Sequence, residues 1–201
     1  MSDWREAPTL VGRHVTLRPM LEQDRDAILA ASADGRAWEL FYTNAPGPKT
    51  IDHWLARVFA ERDFGRALPL VVSRPDGQVI GASRFMRMSS HNRRLEIGGT
   101  FYAQSARRSG VNTETKRLML GHAFEALGCL CVQFRTDWFN RASQAAIARL
   151  GAKRDGVLRN HIVMPDGRVR DTIVYSIIAG EWPGVRANLD HLLARHEESK
   201  E

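Results

Sequence analysis

The chain has 201 residues, enough to bury one substantial core, and its 43% hydrophobic and 26% charged residues are ordinary for a globular protein. Every apolar run falls far short of the ~20 residues a membrane span needs, and Met1-Ser2-Asp3-Trp4-Arg5-Glu6 lacks the basic-then-apolar layout of a secretion signal, so a cytoplasmic address without membrane contact is expected. The net charge of +6 suits an anionic partner, either nucleic acid or a phosphorylated small molecule; the scattered basic residues, with no polybasic tail, do not choose between them.

Val11 to Arg18 alternates apolar and polar residues and reads as an opening strand ended by Pro19. Glu22 to Ala33 follows as a short helix closing near Asp34-Gly35. Arg36 to Lys49 is a loop that carries Trp38, Phe41 and Tyr42, then the breaker run Ala45-Pro46-Gly47-Pro48. Thr50 is placed to cap a helix reaching about Arg62, with Ile51, Trp54, Leu55, Val58 and Phe59 at helical spacing. Strands from Ala67 to Ser73 and Gln78 to Met88 are joined by Arg74-Pro75-Asp76-Gly77, where Pro75 presets its φ and Gly77 tolerates a positive one. Arg94 to Tyr102 is a further strand. Asn112 to Leu127 is a helix apolar over most of its circumference, hence central.

Cys129 to Thr136 reads as a strand, and Arg141 to Leu150 as a helix ending at Gly151. Lys153 to Met164 and Arg168 to Ile178 form a hairpin across Pro165-Asp166-Gly167. Glu181 to about His196 is a last helix opened by Trp182-Pro183. Cys129 and Cys131 sit two apart in an apolar stretch with no second Cys/His cluster, so core packing is expected rather than a disulfide or a zinc site. This order of elements, with no repeat or linker, argues one domain over residues 1–201, with a core of about 9–180 and a C-terminal helix and tail over 181–201. Its class is an α+β or α/β sheet covered on both faces.

The strand ending at Tyr102 runs into a basic loop, and the loop opens a helix. The first turn of a helix presents unpaired N–H groups and a positive dipole end, a ready site for phosphate. Gly110 lets backbone approach a ligand closely, and Arg107 and Arg108 add charge-assisted bonds. Read alone, the same residues would equally make a structural turn with two solvated arginines. Lys116, one turn into the helix, is either a further phosphate contact or a solvated lysine.

The loop reads Arg107-Arg108-Ser109-Gly110-Val111-Asn112, then Thr113-Glu114. Downstream come Asn140-Arg141-Ala142-Ser143, Leu150-Gly151-Ala152, Asp155-Gly156-Val157-Leu158-Arg159, Asp166-Gly167, Asp171, Tyr175-Ser176 and Glu181-Trp182. In this order and spacing, Leu95 to Trp182 resembles the Gcn5-related N-acetyltransferase (GNAT) superfamily, in its branch of ribosomal-protein N-terminal alanine/serine acetyltransferases. Arg107 and Gly110 match the family's Gln/Arg-x-x-Gly-x-Gly/Ala, while Asn112 stands where a small residue is usual. Many members place a tyrosine seven residues after the asparagine; here that position is Ile147, which cannot donate a proton.

The resemblance implies a mixed, mostly antiparallel sheet flanked by helices on both faces. It implies acetyl-CoA as cosubstrate, no metal, and direct attack by a primary amine, a protein N-terminus or a small amine, in a ternary complex. Arg107, Arg108, Ser109, Gly110, Val111, Asn112 and Thr113 are then the pyrophosphate site. Thr100, Phe101 and Tyr102 would meet the pantetheine arm as an extra strand, with an oxyanion-binding N–H near Thr100 or Phe101. Asn140 would bond that arm, and Ser143 the thioester sulfur, the alternative for Ser143 being a capping or packing role within its own helix.

Acetyl transfer needs a neutral amine, a stabilised oxyanion and a proton for the departing thiolate. Glu96, on the strand before the loop and opposite in direction to Leu95 and Ile97, is the first choice of base. Its alternative is a structural carboxylate bonded to Arg94 or another arginine. Asp155, His161 and Asp171 are reserves. An α-amine of pKa ~8 asks less of a base than a lysine near ~10.4. Trp38, Phe41 and Tyr42 with the Pro46-Gly47-Pro48 loop make a candidate acceptor wall or, equally, a small core.

Two other classes compete. A non-catalytic acyl-CoA-binding sensor fits the missing tyrosine and Asn112, and predicts CoA binding without turnover. A nucleic-acid-binding domain would bind with steep salt dependence, against which the dispersed Asp and Glu residues count. A homodimer is compatible with the sequence.

Overall fold

Ala67–Ser73 is buried along its whole length, as an inner strand covered on both faces must be. It is β3 of an eight-stranded sheet in the computed structural model, which describes residues 3–164 and 166–198. The other strands are β1 (Leu10–Val11), β2 (Thr16–Pro19), β4 (Val79–Ser89), β5 (Arg94–Tyr102), β6 (Cys131–Asp137), β7 (Lys153–Val163) and β8 (Val169–Ile178). They lie in the order β1-β2-β3-β4-β5-β6-β8-β7. Neighbours run antiparallel except β5 and β6, which run parallel. The mixed, mostly antiparallel sheet is the expected one.

Helices α1 (Arg25–Ala33) and α2 (Ile51–Asp63) cover one face. Trp54 of α2 meets the Phe101 ring edge-on at 6.2 Å and stands 5.7 Å from the Arg84 guanidinium. The opposite face carries α3 (Val111–Gly121), whose continuation sets the His122 ring 5.6 Å from Phe85. Behind α3 lies α5 (Trp182–Glu198), tied to it by Arg117 Nε donating to Asp190 at 2.7 Å. The last helix, α4 (Arg141–Arg149), stands beside the start of α3, with Arg149 Nη2 donating to Thr113 Oγ1 at 3.0 Å.

Three expectations need correction. The opening strand is two short strands, because Gly12 to Val15 turn back around a carboxylate described below. The central helix is regular only to Gly121 and then widens into a π turn over His122–Ala126. Cys129 precedes β6 instead of lying in it; both cysteines are free thiols, and burial pushes the Cys129 thiol up to about 12. In the last turn, Pro165 lies outside the described residues, as do residues 199–201 of the expected tail.

Candidate functional site

The geometry begins with a parting of strands. β5 pairs with β6 only from Arg94↔Cys131 to Glu96↔Gln133. Beyond Glu96, β5 keeps β4 as partner while β6 keeps β8, so the two diverge. From Ile97 to Tyr102 one edge of β5 therefore has no ladder. Thr100, Phe101 and Tyr102 lie on this stretch, as the sequence reading requires.

At the wide end of the wedge, residues Gln104–Ala106 form a 3-10 turn and the chain enters α3 with Gly110 at its N-cap. The N–H groups of Arg108, Ser109 and Gly110 make no hydrogen bond among the described residues, and those of Asn112 and Thr113 belong to the unpaired first turn of a helix. Arg108 has a left-handed backbone (φ 57°) at the bend into α3. Arg107 and Arg108 are exposed, and Arg107 Nε is steadied by the Tyr102 carbonyl at 3.2 Å. A pocket beside the loop is lined by Arg13, His14, Arg74, Ser109 and Gly110. These residues fit a polyphosphate: unbonded N–H groups follow one another, five arginines counting Arg149 stand near, and Gly110 adds no side chain.

Two residues the sequence reading passed over hold this loop in place. The Glu114 carboxylate accepts backbone N–H bonds from Arg13 (2.8 Å), His14 (2.6 Å) and Val15 (2.8 Å). This is the carboxylate that breaks the opening strand. Arg149 reaches Thr113 from a distant helix. Lys116, by contrast, does not approach the loop before α3. It is 6% exposed and turns under the sheet, donating to Thr100 Oγ1 at 2.7 Å and Ser83 Oγ at 3.2 Å. With no carboxylate beside it, desolvation lowers its pKa to about 7.

At the narrow end sits Glu96, 6% exposed, on the face opposite Lys116. Register places Glu96, Gln133, Arg135 and Asp137 on one face, and Arg84 joins them by pairing with Gly98. Glu96 Oε2 lies 3.0 Å from Arg87 Nε and 3.3 Å from Arg135 Nε. Neither contact is aligned as a hydrogen bond, so the oxygen keeps accepting capacity. Burial pushes the Glu96 carboxyl above its ordinary value, and Arg87, Arg135 and Arg170 pull back against that. Arg87 reaches it through a left-handed residue (φ 48°) where β4 bulges. A bulge in β7 at Asn160 (φ 48°) brings His161 toward the same three arginines, with its Nδ1 3.1 Å from Thr172 Oγ1. Burial and those charges lower its pKa. The other reserves are engaged elsewhere: Asp155 accepts from Ser176 at 2.7 Å, and Asp171 accepts from the Asn160 N–H at 2.8 Å and forms an ion pair with Arg159.

The β6–α4 loop is pinned by Asp137, whose side chain is fully buried. It accepts from Phe139 N at 2.8 Å and Arg168 Nη2 at 2.8 Å, with Arg170 3.7 Å away. Asn140 caps α4, its Oδ1 accepting the Ser143 N–H at 3.0 Å, which leaves its amide group to donate. The half-buried Ser143 hydroxyl makes no hydrogen bond among the described residues. Ile147 is buried in the core. Phe41 crosses to this loop, 6.0 Å from Phe139 and stacked on Arg168 at 5.0 Å, with Tyr42 edge-on to it. Trp38 instead closes over Gly47 within its own loop.

Comparison with known proteins agrees with this geometry. The family model for the acetyltransferase (GNAT) domain matches residues 14–153. The Bacillus subtilis (strain 168) protein YoaA, an uncharacterized N-acetyltransferase, is 26% identical over 178 residues, covering 85% of this chain and 97% of that protein. The crystal structure of a GCN5-related N-acetyltransferase from Brucella melitensis is 28% identical with a TM-score of 0.82, covering 94% of this chain and 86% of that one. Mycobacterium smegmatis RimJ in complex with CoA-disulfide shares the fold at 24% identity and a TM-score of 0.73, covering 89% of this chain and 88% of that one. Wedge, loop and family model converge, and the chain belongs to the GNAT acetyltransferase family.

Proposed function

We infer that the protein acetylates a primary amine, a protein N-terminus or a small molecule, with acetyl-CoA bound along the β5–β6 wedge. One observation carries this. β5 loses its β6 partner immediately beyond Glu96, so an unpaired strand edge, a buried carboxylate and an anion-binding loop follow one another along a single element. In this reading the N–H groups of Arg108 to Thr113, with Arg107 and Arg108, hold the pyrophosphate. The free edge at Thr100 to Tyr102 receives the pantetheine amide groups as a strand would, and Asn140 donates to that arm. Acetyl-CoA supplies the acetyl thioester.

Glu96 takes the ammonium proton of the acceptor, and a β5 N–H near Thr100 or Phe101 stabilises the oxyanion. As the C–N bond forms and the C–S bond breaks, the nitrogen gives up its second proton to a water, and the Ser143 hydroxyl hydrogen-bonds the departing sulfur and orients that water to pass the proton to it. Phe41 and Tyr42 form the acceptor rim. His161 is a second base on the same face, favoured by its lowered pKa and its approach to the Glu96 arginines. No helix among the described residues is long and apolar enough to cross a membrane, and a cytoplasmic location belongs to the same reading.

The test is thiol release from acetyl-CoA against a panel of peptides and small amines, with Glu96→Gln and Ser143→Ala alongside. Loss of turnover in both with CoA affinity retained supports the assignments, and turnover unaffected by either sinks them. CoA binding with no turnover on any amine would instead favour a sensor.

A further inference from the structure

The acetyl-transfer reading makes no use of Arg84, and its placement is expensive. It stands in the middle of β4, with Ala82 and Phe85 fully buried on either side, and is itself 8% exposed. Among the described residues its guanidinium pairs with no carboxylate, and its Nε is buried without an acceptor. Glu61 and Glu96 act on it only from a distance, and Arg57 opposes them. A cation out of water whose neighbour is the Trp54 ring at 5.7 Å and no carboxylate is costly to keep, and desolvation lowers its pKa to about 10.

Its position relative to Glu96 is fixed by two glycines. A Cβ at Gly98 would come within 3.0 Å of Glu96 Oε1, and one at Gly99 would overlap the Arg84 guanidinium. Gly99 also has the left-handed φ of 58° that β5 needs for its bulge opposite Ser83. The carboxylate and the guanidinium therefore lie over successive residues, whose Cα atoms are ~3.8 Å apart, at the start of the unpaired edge. Around them the same face carries Arg87, Arg135, Arg168 and Arg170 beside Glu96 and Asp137, with Arg57 and Glu61 acting from farther off, so that among these residues positive charge is in excess.

We propose that the acceptor carries a carboxylate a few bonds from its reactive amine, and that Arg84 binds this carboxylate while Glu96 receives the amine. A guanidinium matches a carboxylate with two parallel N–H bonds, which supplies the partner Arg84 lacks. The carboxylate can come from a free α-amino acid or from an acidic first residue of a peptide. The proposal rests on the N-acetyltransferase reading of this site.

Calorimetric titration of the CoA-saturated protein tests it without needing turnover. The probes are two matched pairs: alanine against alaninamide, and a peptide opening with Asp against the same peptide opening with Asn. The carboxylate-bearing member should bind at least ten times more tightly in one pair, and that pair identifies the source. Arg84→Met should abolish the preference. Arg84→Lys, which keeps the charge without the two-pronged geometry, should weaken it and serves if the methionine variant fails to fold. Equal binding within both pairs, no binding of any probe, or a preference untouched in the variants would overturn the proposal. Thiol release measured in parallel separates the two readings, since preference without turnover sinks the acetyl-transfer reading while leaving Arg84 as a carboxylate site.

Discussion

Glu96 and Lys116 are buried ionisable side chains on opposite faces of β5, and burial drives both toward their neutral forms. Their surroundings separate them. Glu96 is flanked by arginines that favour its charge, whereas Lys116 has only two hydroxyls. Glu96→Gln should lower kcat/KM by about 10²-fold or more and remove the ascending limb of its pH profile. The limb rises with pH because the base acts only when ionised, and it sits above the ordinary carboxylate range.

For Lys116 the sign is opposite in effect on stability. Its folded pKa of about 7 lies below the usual 10.5, so between those values the unfolded chain binds more protons. Stability therefore climbs from pH 7 toward 10.5, by at most ~1.4 kcal/mol per pH unit. Lys116→Met should be more stable at pH 7 and flatten that climb in urea titrations at several pH values. Glu96 was visible in the sequence because strand alternation alone turns it away from Leu95 and Ile97. The fate of Lys116 was not, since its partners Ser83 and Thr100 come from other segments.

At the scale of elements, the loop before α3 owes its shape to a contact across the chain. Glu114 gathers three backbone N–H groups from the turn between β1 and β2, and Gly12 gives it room: a Cβ there would stand 2.5 Å from the Glu114 Cδ. Because those three bonds hold the carboxylate, it cannot step aside without losing them. Gly12→Ala should cost about 1–3 kcal/mol in urea unfolding and weaken CoA binding, although Gly12 lies outside the wedge. Asp137 plays the matching part for α4. Asp137→Ala should cost about 3–5 kcal/mol by leaving Arg168 and Arg170 unpaired in the interior, and should raise the KM for acetyl-CoA by loosening Asn140 and Ser143.

Local pattern located nearly every element within a residue or two, because periodicity and turn residues act within a short window. It missed the break in the first strand and the π turn after Gly121. The break depends on a carboxylate about a hundred residues away, and the π turn lies in a segment whose residues are all compatible with a regular helix.

At the scale of the molecule, the sheet supplies the chemistry and the helices fix its spacing. Trp182 is buried at the start of α5, stacked on Phe124 at 5.4 Å and donating to Glu125 at 2.9 Å. It seats α5 behind α3, and farther along α5 the His196 ring packs over Gly110 at the N-cap of α3. Trp182→Ala should therefore cost about 3–5 kcal/mol of stability and lower CoA affinity together, read by urea unfolding and CoA titration. Family membership was legible from the order of motifs between Leu95 and Trp182. The arginine-rich face was not, because Arg84, Arg87, Arg135, Arg168 and Arg170 are dispersed in sequence and meet only through strand register. The most direct measurement is backbone amide NMR of the protein titrated with CoA. The largest shifts should fall at Thr100 to Tyr102, Arg108 to Thr113 and Asn140; shifts confined to other surfaces, with those amides unmoved, would contradict binding in the β5–β6 wedge.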